Sequence, residues 1–117
     1  MRRGAPVLAL AIPLSILCVS GCRVRPEPVQ VEGHWVRVEN QTSSDWTDVE
    51  IWVNDHYRVT RSSIAAGERF QAPLDAFVAG FGQRFDAKRQ RVKGIEVTAR
   101  SGNQAIRLIW GAGRKHY

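Results

Sequence analysis

From His34 onward the chain alternates between apolar and polar positions. Val36 and Val38 share one face of an extended segment, with Arg37 and Glu39 on the other. Val49, Ile51 and Val53 repeat the pattern opposite Asp48, Glu50 and Trp52, and Tyr57 and Val59 continue it. Phe70, Ala72 and Leu74 form another set, in which Pro73 marks an edge or a strand end because it lacks the N–H a central strand needs. Ile95, Val97 and Ala99 alternate with Glu96, Thr98 and Arg100, and Ile106, Leu108 and Trp110 close the series. A period of two is the mark of a half-buried strand. The segments between are turns and loops. Residues 40–46 are polar and rich in Ser and Thr. Asn54-Asp55 suits a two-residue hairpin turn, since both types tolerate left-handed backbone angles. Ala65-Ala66-Gly67 and Ser101-Gly102-Asn103 supply further turns. Six or seven short strands at fairly regular spacing predict an all-β domain, a small sandwich or barrel. A single helical turn near residues 75–78 is compatible with this pattern, and there is no internal repeat.

The first 33 residues read differently. Met1-Arg2-Arg3 is basic, and no charged residue follows from Gly4 to Cys22, which is the layout of an export signal. A membrane-spanning helix needs about 20 apolar residues. The 19 uncharged residues fall just short, and Pro6 and Pro13 interrupt a continuous helix. Val19-Ser20-Gly21-Cys22 resembles the lipobox of bacterial lipoproteins, an aliphatic residue and two small ones before a cysteine, with Val in place of the commoner Leu. The resemblance implies that residues 1–21 are removed as a signal peptide and that Cys22 is acylated, anchoring the chain in the cell envelope. Two or more acyl chains hold stably, at about 0.8 kcal/mol per buried methylene. Arg23 stands where Asp favours inner-membrane retention in enteric bacteria. The resemblance therefore implies an outer membrane facing the periplasm where the organism has one, and otherwise the outer face of the cell membrane. Residues 22–33, with Pro26 and Pro28, read as a tether. Its nine residues 23–31 span at most about 28 Å when extended.

Removal of residues 1–21 leaves 96, enough for one domain over residues 34–110 and a polar tail over 111–117. The remaining chain has 15 basic and 11 acidic residues, a net charge of +4. That excess suits an anionic surface such as phospholipid, lipopolysaccharide or an acidic polymer. It equally suits a solvated basic domain from an arginine-rich proteome, since 14 of the 17 basic residues of the whole chain are Arg. Cys18 leaves with the export segment and Cys22 carries lipid, so the core is expected to hold without a disulfide. Nucleic acid is not expected as a partner of an exported, tethered domain.

The segments Val36-Arg37-Val38-Glu39-Asn40, Trp46-Thr47-Asp48-Val49-Glu50-Ile51-Trp52-Val53-Asn54 and Ile64-Ala65-Ala66-Gly67-Glu68 are similar to the small immunoglobulin-like domains carried by many bacterial lipoproteins. The paired cysteines of antibody-type domains are absent. The resemblance implies an immunoglobulin-like β-sandwich that binds rather than catalyses, by fold analogy alone.

Catalytic and metal-binding patterns do not assemble. His34, His56 and His116 have no Cys, Asp or Glu at ligand spacing, and Asp55 and His56, as strand neighbours, point to opposite faces. Ser43, Ser44, Ser62, Ser63 and Ser101 lie in turn-like stretches without a Gly-x-Ser-x-Gly context. Gly80-Phe81-Gly82 lacks the third glycine and the following helix of a phosphate loop and reads as a turn before Phe85. Asn40-Gln41-Thr42 spells a glycosylation sequon. No metal, cofactor or catalytic residue is expected.

Two features stand out. Arg84, Lys88, Arg89, Arg91 and Lys93 place five cations within ten residues, relieved by Asp86. They suit anionic headgroups at about 1 kcal/mol per cation near a charged membrane, or form a solvated hairpin arm, the commoner outcome of a charge run. Trp35, Arg37 and Trp52 lie on outward faces. If their strands pair, Trp35 opposes Trp52 in one register and Arg37 opposes it in a register shifted by two, giving an exposed aromatic binding surface of the kind hot spots favour. The alternative is that this face is partly covered by a loop such as residues 75–84, or that Trp52 packs in a second layer, since large aromatics are mostly buried. The expected function is a non-catalytic binding or accessory module for an envelope protein or polymer. The alternative is an envelope enzyme or an inhibitor of an envelope hydrolase, working through residues 40–45 or 81–91.

Overall fold

The computed structural model describes residues 26–111; the expected signal peptide, Cys22, the first part of the tether, His116 and the tail after Gly111 lie outside the described residues. Eight strands occur in chain order: β1 (Val29–Glu32), β2 (Trp35–Glu39), β3 (Trp46–Val53), β4 (Tyr57–Ile64), β5 (Arg69–Pro73), β6 (Val78–Ala79), β7 (Gly94–Ser101) and β8 (Gln104–Gly111). A short 3-10 helix, Leu74–Ala76, precedes β6 and accounts for the helical turn expected there. All pairings are antiparallel and form two sheets, β1-β2-β5 and β6-β4-β3-β7-β8. The expected all-β class holds, with the two layers of a generic β-sandwich.

The alternating apolar residues explain the layers. Val36, Val38 and Ala72 of the smaller sheet meet Val49, Ile51, Val53, Ile95, Val97 and Ala99 of the larger one in a single buried cluster. Ile106, Leu108 and Trp110 of β8 pack at its rim, half-buried. The described residues contain no cysteine, and it is this cluster, at roughly 1.5–3 kcal/mol for each large side chain buried, that joins the two sheets.

Three expectations on boundaries change. Val29–Glu32, assigned to the tether, is a strand: Val29 is buried and β1 pairs with β2 from Val29↔Val38 to Glu32↔Trp35. The stretch 40–46, read as a loop, ends one residue earlier, because Trp46 opens β3 and is buried. Trp46 and Val49 differ in parity, and both face the core because the β3–β7 register shifts between Thr47 and Glu50. Asp48 sits there at φ 51, and the extra residue of the bulge restores the inward face. The Asn54-Asp55 turn has the expected left-handed angles, φ 52 and 66, but Val53 pairs with Tyr57, so the connection takes in His56 as well.

The hairpins sort into two poles. At the first, Pro26 joins the domain beside residues 40–45, the turn after Ile64 and the Gly102-Asn103 turn. At the opposite, distal pole lie the Gly33-His34 turn, the 54–56 turn and the long segment 74–93. The strands between are up to eight residues long, about 26 Å at about 3.3 Å per residue.

Candidate functional site

The distal segment is held from inside by aromatic plugs. Phe77 and Phe85 are buried, and the Phe85 N–H donates to the Phe77 carbonyl at 2.9 Å. Tyr57 meets Phe85 edge to face, with centroids 5.2 Å apart, and its hydroxyl accepts from Gln90 Nε2 at 2.9 Å. Asn54 fastens the returning chain. Its Nδ2 donates to the Arg91 carbonyl at 2.7 Å, while its Oδ1 accepts from the backbone N–H groups of Lys93 at 2.7 Å and Gly94 at 3.2 Å. Gly111 closes the same end, where a Cβ would stand 2.5 Å from the Lys93 carbonyl oxygen and φ is 69. That crowding and that angle require glycine.

This frame shapes two adjoining grooves, of about 500 and 350 Å³, which share His34, Leu74 and Ala87. Arg84 and Lys88 rim the first, with Asp75 and Asp86, and Arg91 rims the second. Arg84, Lys88, Arg89, Arg91 and Lys93 are all exposed. They do not form a hairpin arm: residues 85–93 turn on Asp86, whose Oδ1 accepts from the Lys88 N–H and whose carbonyl accepts from Arg89 and Gln90. Arg84 donates to the Asp75 carbonyl at 3.2 Å, and Arg89 lies 3.6 Å from the Asp86 carboxylate. At 85% side-chain exposure for Arg89, that pair contributes little. The charge of the run is therefore presented to solvent. Phe81, at the tip of the Gly80–Gly82 turn, is 81% exposed. The alternation pattern left Phe81 in a turn and gave no sign of how far it projects.

Trp35, Arg37 and Trp52 do not share a surface. β2 pairs with β1 and β5, β3 with β4 and β7, and the two strands belong to different sheets. With Val36 and Val38 turned inward on one and Ile51 and Val53 on the other, Trp35 and Arg37 face out on the opposite side of the domain from Trp52. The pairing that would have joined them is thus replaced. Arg37 is spent on Glu32 and Gln30 of its own sheet.

Trp52 sits in a row that crosses the larger sheet: Val78, Arg58, Trp52, Glu96 and Ile109. The Arg58 guanidinium lies 5.2 Å from the indole centroid, and Trp52 Nε1 donates to Glu50 at 3.1 Å. A groove of about 460 Å³ runs past Trp52, His56, Arg58 and Thr60 to Gly80, so Trp52 borders the distal pole without being sealed by the loop. Glu96, which alternates with the inward Ile95 and Val97, is only 2% exposed and is ion-paired with Arg107. Its neighbours in the row, Trp52 and Ile109, are what alternation alone could not supply.

The opposite pole has a different chemistry. Asn40 is fully buried: Nδ2 donates to the carbonyls of Ser44 and Ile64 at 2.8 and 3.0 Å, and Oδ1 accepts from the N–H and hydroxyl of Thr42. The sequon spelling is thus a structural knot, since the nitrogen a glycan would use is inside. Asp45 accepts from the Ala66 N–H at 2.9 Å. Residues 40–45 therefore direct much of their polar chemistry inward.

Among the described residues no group of three or more His, Cys, Asp or Glu is arranged to hold a metal, and no helix is long and apolar enough to cross a membrane. Compared with models of protein families, with curated proteins and with solved structures, the chain matches none.

Proposed function

We propose that this chain is a lipid-anchored envelope protein, held through Cys22, whose domain is a non-catalytic binding module for an envelope protein or anionic polymer. The observation that carries the reading is the polarity of the domain. The chain arriving from the lipobox joins at the pole whose polar groups are turned inward. The grooves, the exposed cations and Phe81 stand at the other, a strand length away. With β1 beginning at Val29, the tether shortens to residues 23–28, at most about 19 Å extended. The working pole is therefore the part of the domain furthest from its anchor.

The strand order supports an immunoglobulin-like kinship. The strands β8-β7-β3-β4 follow the G-F-C-C′ order of variable-type domains and β1-β2-β5 follows A-B-E, while β6, which comes after β5 in the chain, has no counterpart there. Trp46 is buried on β3, the strand that carries the core tryptophan of such domains. Variable-type domains bind through their B–C and F–G loops, which correspond here to residues 40–45 and 102–103 at the proximal pole, so the distal reading rests on its own grooves and cations and not on this kinship.

The test has two arms. Cys22→Ala is expected to abolish membrane fractionation and to change the mature mass by the lipid; an unchanged mass and location would remove the anchor. A photo-cross-linking residue at Phe81 is expected to capture an envelope component that the same residue at Ser43 does not, and Arg84→Glu with Lys88→Glu is expected to reduce the yield. Equal capture from both poles would remove the distal site.

A further inference from the structure

Four strands end the two sheets, and three of them are poor templates for another chain. β1 has four residues and follows Pro28, β5 has five and ends at Pro73, and β6 has two. Short edges and proline are the usual protection against strand addition. β8 has none of it. It runs for eight residues without proline or lysine, and its single charge, Arg107, is engaged by buried Glu96. Ile106, Leu108 and Trp110 line the rim of the core and Ile109 is 43% exposed on the outer face. Among the described strands β8 hydrogen-bonds only to β7. The two-residue turn pairs Ser101 with Gln104, so the backbone groups of 106, 108 and 110 face β7 and those of 105, 107 and 109 face away.

We propose that β8 is the seam of a homodimer, pairing antiparallel with β8 of a second copy to make one continuous ten-stranded sheet. Antiparallel neighbours keep the same faces together, which leaves two central registers. One sets Arg107 directly against Arg107 of the second copy, a like-charge pair that opposes association. The other sets Leu108 against Leu108, Ile106 against Trp110 and Arg107 beside Ile109. It extends the inner apolar layer across the seam with no like charges opposed, and it is the register the pattern selects. The two-fold axis is then normal to the sheet. Both three-stranded sheets stay on one side, the two proximal poles point in opposite directions along the strands, and at each distal pole the groove lined by Arg84, Phe85 and Lys88 stays clear of the seam. The inference is independent of the anchor.

The full chain, purified in detergent from whichever fraction holds it, is expected to sediment as a dimer that dissociates on dilution. Leu108→Cys is expected to oxidise to a dimer whose linking peptide joins residue 108 to residue 108, because opposed positions of this kind have Cα atoms about 4.5 Å apart, within disulfide reach. Ala105→Cys is expected to stay reduced, since in this register it opposes residue 111. Ile109→Lys, an exposed change, is expected to leave the fold intact and weaken association about tenfold by facing Arg107 of the second copy at two places. A native chain that sediments as a monomer at every concentration overturns the proposal. So does an Ile109→Lys variant that associates as well as the native chain, or a Leu108→Cys linkage to a different protein.

Discussion

The two poles are built from similar loop residues and use them in opposite ways. Near the chain's N-terminal end, Asn40, Thr42, Asp45 and Glu68 turn their polar groups onto neighbouring backbone, and Arg61 is paired with Glu68 at 3.0 Å. At the distal pole the polar fastening falls to Asn54, Asp86 and Gln90, while five cations and Phe81 are left in solvent. The difference lies in what holds each loop. The first pole is held by hydrogen bonds, which take up its side chains. The distal segment is held by Phe77 and Phe85 from beneath, which leaves the upper surface available. A loop fixed by apolar plugs can display charge without losing its shape.

Substitutions can sharpen or break this contrast. The largest effect is expected from Phe85→Ala, which empties a buried site beneath the distal grooves. A loss of about 3–5 kcal/mol is expected by chemical denaturation, and the proximal loop should keep its amide exchange protection until global unfolding. Asn40→Ala comes next. It leaves the Ile64 carbonyl and the Thr42 N–H without their partner, and about 2–3 kcal/mol should be lost in the same measurement. A neutral result would mean that the first pole is not held by this side chain. The smallest effect is expected from Phe81→Ser, within about 0.5 kcal/mol of native stability, because the ring is exposed. Phe81 and Phe85 lie four residues apart in one segment. Equal destabilisation by both changes would remove the distinction between a supporting and a displayed aromatic.

The edges of the sheets repeat the lesson at the level of strands. β1, β5 and β6 are short or flanked by proline, and β8 alone keeps a long apolar rim. Proline near β1 and β5 could be read directly from the chain. That β8 lies at an edge could not, because edge position depends on which strands pair.

Alternation determined most of the fold. Val36, Val38, Ile51, Val53, Ile95 and Val97 reveal inward faces because side chains in a strand alternate strictly, and that local rule survives any tertiary arrangement. Turn chemistry at Asn54-Asp55 and Gly102 was equally local. What the tertiary structure decided was every relation between elements. It moved Val29–Glu32 from the tether into a sheet, because β2 offered an edge to pair with. It brought Trp46 inward through a bulge set by the β7 register, separated Trp35 from Trp52 by the thickness of the domain, and buried Glu96 between neighbours drawn from other strands. It also gathered the basic run, His34 and the aromatic plugs at one pole. Periodicity fixes which way a side chain points along its own strand, whereas its neighbours come from residues far away in the chain, and only pairing and packing select them.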